Sequence, residues 1–126
     1  TYTILAAARG GDVLGYLVLR RAVRYGMPWG YLVDFLVERE SPSIWSMLVR
    51  EAIARFREDG VALVACLAHR PSYRRSLRCL GFFPWRWGPQ GYFHARVDAP
   101  DPSLHVARDT QQWLVTMGDG DVEMSF

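Results

Sequence analysis

The sequence predicts an α+β fold: a mixed sheet, mostly antiparallel, with one parallel strand pair and a helix crossing over between its members. Residues 31–37 and 61–67 are short, continuous apolar runs, the pattern of strands covered on both faces. Between them Trp45, Leu48, Val49, Ala52, Ile53 and Phe56 recur at three- and four-residue steps, which makes one stripe of a helix. Two buried strands joined by a helix of about four turns form a right-handed crossover, with the helix packed across the sheet.

Taken in order, residues 2–8 read as a strand, Arg9-Gly10-Gly11-Asp12 as a hairpin turn whose glycines permit positive φ, and residues 13–23 as the returning strand. Residues 25–30 hold two glycines and a proline and read as a turn into the central strand, 31–37. The crossover helix is expected over 43–58, with Ser41, Pro42 and Ser43 supplying cap and first-turn chemistry, and with Glu51 placed four residues before Arg55 for an ion pair. Asp59-Gly60 stops it, and 61–67 follows as the parallel strand. A second helix over 72–80 puts Tyr73, Leu77 and Leu80 on one face and Arg74, Arg75 and Arg78 elsewhere, and Gly81 ends it. Beyond it come an aromatic cluster with Trp85 and Trp87, a strand over 91–97, a proline-rich break over 98–103, a last strand over 111–117 and a tail that should fray. The cluster suits core packing, an acceptor channel or a subunit interface.

At 126 residues and 50% hydrophobic, the chain is expected to be one domain, 1–126, with a real core. A net charge of +2 is too mild to argue for nucleic acid. All fifteen basic residues are Arg, which reads as compositional bias before it reads as function. Cys66 and Cys79 form no disulfide framework, His69, His94 and His105 are too scattered for a metal, and Asp119, Asp121 and Glu123 are only a weak divalent-ion signal, so no metal is expected. Reduced thiols, no apolar run near the ~20 residues that span a bilayer and no basic leader make a cytoplasmic protein without a membrane role the expectation.

The order strand, helix, strand, short helix closed by Leu80-Gly81-Phe82 resembles the core of the GNAT superfamily, the acyl-CoA-dependent N-acyltransferases. The hairpin of residues 2–23, with Gly15-Tyr16 in its second arm, resembles that family's second and third strands, so the chain is expected to start near the second strand and to hold the C-terminal two-thirds of the family domain. The acceptor half is then expected to be missing, or supplied by a preceding segment or by another subunit, a homodimer being one form of this. Trp113, Thr116, Gly118, Asp119 and Asp121 resemble the ending of a subgroup linked to bacterial polysaccharide loci.

The resemblance implies transfer of an acyl group, acetyl by default, from acetyl-CoA or another acyl-CoA as co-substrate to a small-molecule or sugar amine. It places the thioester in the splay between strands 31–37 and 61–67, beside Leu36 and Val37, and the pyrophosphate at the start of the crossover helix, at Ser41, Ser43 and Ile44. Where the family carries Arg or Gln, then Gly, then Gly or Ala, this sequence has Glu40, Ser43 and Trp45, so that loop is either an altered anion cradle or a plainly capped helix start. Leu77 and Arg70 stand where relatives have a general-acid Tyr and a cofactor-binding Asn. Tyr73, one turn before Leu77, is a substitute acid or a core residue, and Arg70 and Arg74 bind cofactor phosphates or belong to a solvated face. Asp34 and Glu38 are the candidate bases for the amine; an acid inside so apolar a strand is costly unless paired or used. The alternative is a degenerate domain of this fold that serves partner binding without cofactor.

Overall fold

The computed structural model describes residues 1–84. The strands expected over 91–97 and 111–117, the Trp85 and Trp87 cluster, His94, His105 and the acidic tail lie outside the described residues. Four strands form one sheet in chain order: β1 (Tyr2–Arg9), β2 (Asp12–Arg24), β3 (Met27–Val37) and β4 (Leu63–Cys66). β1, β2 and β3 pair antiparallel, β3 and β4 pair parallel, and helix α1 (Pro42–Glu58) makes the crossover before α2 (Pro71–Cys79). The fold class is the one the sequence predicts.

Three boundaries differ, each for a local reason. The turn expected over 25–30 is only Tyr25-Gly26, both at positive φ (53° and 74°) as in a type I′ hairpin, so β3 starts early at Met27 and takes Pro28 and Gly30 into the strand. β4 is shorter than residues 61–67, because the Val61 N–H bonds to the Phe56 carbonyl at 2.9 Å and the Ala62 N–H to the Pro28 carbonyl at 2.8 Å before the ladder begins. Between β3 and α1, Glu38–Glu40 form a tight turn with Arg39 and Glu40 near φ 50°, a left-handed geometry unusual for side-chain-bearing residues.

α1 and α2 pack on one face of the sheet. That face is built by Leu5, Leu17, Leu19, Leu32, Phe35 and Val37 against Trp45, Leu48, Val49, Ala52, Phe56, Tyr73 and Leu77. Trp29, Tyr31 and Val33 form a second buried cluster with Val18, Ala22, Leu63, Ala65 and Leu67. The alternation that separates the two clusters shifts at a β-bulge: Leu19 pairs with Leu32 but Val18 with Asp34, leaving Val33 as the extra residue. The bulge returns Phe35 to the helix face and sets Asp34 opposite Val18. α1 rides directly on the backbone at Gly30, where a Cβ would stand 2.8 Å from the Phe56 ring.

Candidate functional site: where two parallel strands part

β3 and β4 pair from Trp29 with Leu63 to Leu32 with Cys66 and then separate, β3 running on to Val37. Parallel strands that part leave the backbone amides along the opening without ladder partners, which is the polar lining a thioester's carbonyl and amides can use. Here two of them are occupied by the chain's own side chains. The Phe35 N–H donates to Asp34 Oδ1 at 3.0 Å, and the Val37 N–H donates to the Tyr73 hydroxyl at 3.2 Å.

Asp34 is half-buried and also accepts from the Tyr16 hydroxyl at 3.3 Å. These two donors offset part of the cost of an acid in this strand. Tyr16 could be found from sequence only with the β2–β3 register in hand, since the bulge decides which residues face each other. Glu38 is exposed in the turn after β3, and its carbonyl accepts the Ser41 N–H at 3.0 Å. Leu36, 50% exposed, points to the same face as Asp34, whereas Val37 is buried on the helix face.

Tyr73 is 1% exposed and belongs to an aromatic knot with Phe35 and Trp45, the ring centroids lying 4.5 to 5.0 Å apart. The Trp45 indole N–H donates to the Tyr73 carbonyl at 3.3 Å, tying α1 to α2. Burial raises the Tyr73 phenol above its ordinary value, the Val37 N–H pulls it back, and the Glu40 carboxylate and Arg70 guanidinium push in opposite senses. The hydroxyl therefore keeps its proton at neutral pH.

At the start of α1, Ser41 is the cap: its side chain accepts from the Ile44 N–H at 3.4 Å and contacts the Ser43 hydroxyl at 3.1 Å, and its carbonyl takes the Trp45 N–H at 3.0 Å. Pro42 has no N–H to offer. In front of this turn Glu40 forms an ion pair with Arg70 and accepts from the Ser72 hydroxyl at 2.7 Å, so a carboxylate bridges the fronts of α1 and α2. Arg74 is exposed on α2. The structure thus gathers Val37, Glu40, Arg70, Ser72 and Tyr73 at one end of the opening, with Asp34 earlier on β3 and Tyr16 beside it on β2; Glu40 and Ser72 acting together with Arg70 had no signal in the sequence. A cavity of about 670 Å³ lies along β4, lined by Val64, Leu67, Leu77, Leu80 and Phe82 among others, and touches none of Asp34, Glu38 or Tyr73. Desolvation raises the Cys66 thiol well above its ordinary range, so it stays protonated at neutral pH. Among the described residues no group of side chains could hold a metal ion, and no helix is long and apolar enough to cross a membrane.

Comparison with solved structures places this arrangement. A protein from Thermus thermophilus superposes with a TM-score of 0.60 at 17% identity, covering 76% of this chain and 72% of its own. A ribosomal-protein-alanine N-acetyltransferase from Brucella melitensis biovar Abortus 2308 gives 0.60 at 16% identity, covering 74% and 71%. The chain has the GNAT fold. An aminoglycoside 6'-N-acetyltransferase from Acinetobacter haemolyticus shares that fold, with a TM-score of 0.57 at 19% identity, over 77% of this chain and 72% of its own. No protein-family model matches the sequence, and no curated protein matches it. In a GNAT fold the start of the crossover helix is where a CoA pyrophosphate is expected. The residues present do not fit one as arranged: one amide is absent at Pro42, those of Ile44 and Trp45 are taken by Ser41, and the Glu40 carboxylate stands in front.

Proposed function

We propose that this domain is an N-acyltransferase that moves an acyl group, acetyl by default, from a thioester to a small-molecule or sugar amine. The parting of β3 and β4 behind a crossover helix, in the fold shared with acetyltransferases, is the observation that carries the reading. Asp34, oriented by Tyr16 and the Phe35 amide, is the base. The amine nitrogen forms a bond to the acyl carbon as the C–S bond breaks, Asp34 takes the amine proton, and the sulfur leaves as a thiol, with the Tyr73 hydroxyl the nearest proton donor to the Val37 end of the opening. Glu38, exposed one turn on, serves acceptor binding rather than proton transfer.

A second reading, a domain that binds a partner without cofactor, is favoured by one observation: Tyr73 and Asp34 already occupy the Val37 and Phe35 amides. Thermal-shift titration with acetyl-CoA and with an acetyl thioester of phosphopantetheine that lacks the nucleotide, followed by transfer assays on a panel of amines, decides between the two. Stabilisation that tracks ligand concentration, with turnover lost in Asp34→Asn at nearly unchanged ligand affinity, is expected of the enzyme. Absence of both binding and transfer with every thioester overturns the acyltransferase reading, and full activity in Asp34→Asn removes the residue from the mechanism.

A further inference from the structure

An acyltransferase, the reading on which this inference rests, requires a donor whose anionic part is held somewhere, and the start of α1 suits it poorly, with Pro42 lacking an amide, Ser41 capping Ile44 and the Glu40 carboxylate in front. Positive charge is offered instead on α2. Arg74, Arg75 and Arg78 are all exposed on this helix, and from His69 to Pro84 the sequence holds four arginines and no acid. Three arginines meet carboxylates: Arg21 with Asp59, Arg55 with Glu51 and, at the front of α2, Arg70 with Glu40. Among the described residues Arg74, Arg75 and Arg78 have no carboxylate in an ion pair. The same helix supplies Tyr73, whose hydroxyl reaches the end of the opening, so the basic face and the candidate site lie on one rigid element.

We propose that the exposed arginine face of α2 docks an acidic carrier protein, and that the acyl donor is a thioester on that protein's phosphopantetheine arm rather than a nucleotide-bound thioester. A phosphopantetheine arm brings a single phosphate and no nucleotide, so it needs no pyrophosphate cradle, and the affinity comes from the protein surface. Steering by complementary charge sets the encounter rate and makes it salt-dependent, while the arm alone enters between β3 and β4.

The test uses an acidic acyl carrier protein in its holo and acetylated forms, acetyl-CoA, and a single-stranded oligonucleotide of matched charge, each titrated against the full chain, with transfer to amines assayed from both thioesters. Binding of the unacylated holo carrier, weakened about tenfold or more by R74E/R75E/R78E and by added salt, with the thermal midpoint unchanged, is expected. Arg75→Glu alone, with a smaller loss, serves if the triple variant does not fold. Carrier binding without transfer to any amine leaves the docking face standing and overturns the acyltransferase reading. Efficient transfer from acetyl-CoA with no carrier binding does the reverse. Equal binding of the oligonucleotide makes the face a general polyanion surface and overturns the inference, as does the absence of carrier binding.

Discussion

Trp45 shows how one residue can satisfy the core at the expense of a site. An indole stands where the resemblance implies almost no side chain, and it is turned inward, 1% exposed, tilted against Phe35 and edge-on to Tyr73. Its N–H is satisfied by the Tyr73 carbonyl, so a fully buried indole is also a hydrogen-bonded strut between the helices. Replacing Trp45 by Gly is expected to cost about 3 to 5 kcal/mol for the lost aromatic and its cavity, and about 1 kcal/mol more for Gly in a helix, read from urea unfolding. A variant that keeps its stability and gains CoA affinity would show instead that the indole blocks the cradle. Glu40 is the polar counterpart: its carboxylate holds Arg70 and Ser72, which an arginine or glutamine at that place could not do in the same way.

At the scale of elements, the closeness of α1 to β3 depends on a missing side chain. Gly30 lies in the middle of a strand where its flexibility is a cost, yet Phe56 sits on it so tightly that a methyl group would meet three ring atoms within 2.9 Å. Gly30→Ala should destabilise by about 1 to 3 kcal/mol through overpacking. Part of that loss should return in the double variant with Phe56→Leu, and a purely additive double-mutant cycle would mean that the ring moves aside freely. The bulge at Val33 acts on the same strand with a different outcome. One inserted residue brings Phe35 under α1 and Asp34 beside Tyr16, and it lies just past the last β3–β4 pair.

Over the whole molecule, the protonation of buried groups sets an alkaline limit to stability. The Cys66 thiol and the Tyr73 phenol are both raised in the folded state, chiefly by burial, from ordinary values of 9.0 and 10.0. Each folded group holds its proton where the unfolded chain has begun to lose it, so their contribution is complete below the unfolded values and is lost as pH rises through the folded ones. Unfolding midpoints in urea should therefore be flat with respect to these two groups to about pH 9 and fall above it, first through Cys66 and then through Tyr73. The slope should flatten in Cys66→Ala and, above about pH 10, in Tyr73→Phe. An unchanged slope in Tyr73→Phe would mean that the phenol is not held protonated by its site. Since the Tyr73 hydroxyl also accepts from Val37, the same variant frees an amide at the opening and should leave any thioester binding no weaker.

By itself the sequence determined what depends on neighbours a few residues apart. The three- and four-residue apolar step made α1, the continuous apolar runs made the buried strands, Gly10-Gly11 made the first hairpin turn, and their order implied the mixed sheet with one parallel pair. Asp34, Glu40, Trp45, Arg70 and Tyr73 were legible as residues of interest because each is out of keeping with its surroundings or with the resemblance. Only the tertiary structure decided what they touch. The Tyr25-Gly26 turn carried Pro28 and Gly30 into β3 because pairing with β2 on one side and β4 on the other outweighed their local preference for a turn. Tyr73 reaches Val37 from 36 positions away and Ser72 reaches Glu40 from 32. Such contacts depend on how a crossover helix lies on a bulged strand, and no periodicity in the chain encodes that distance.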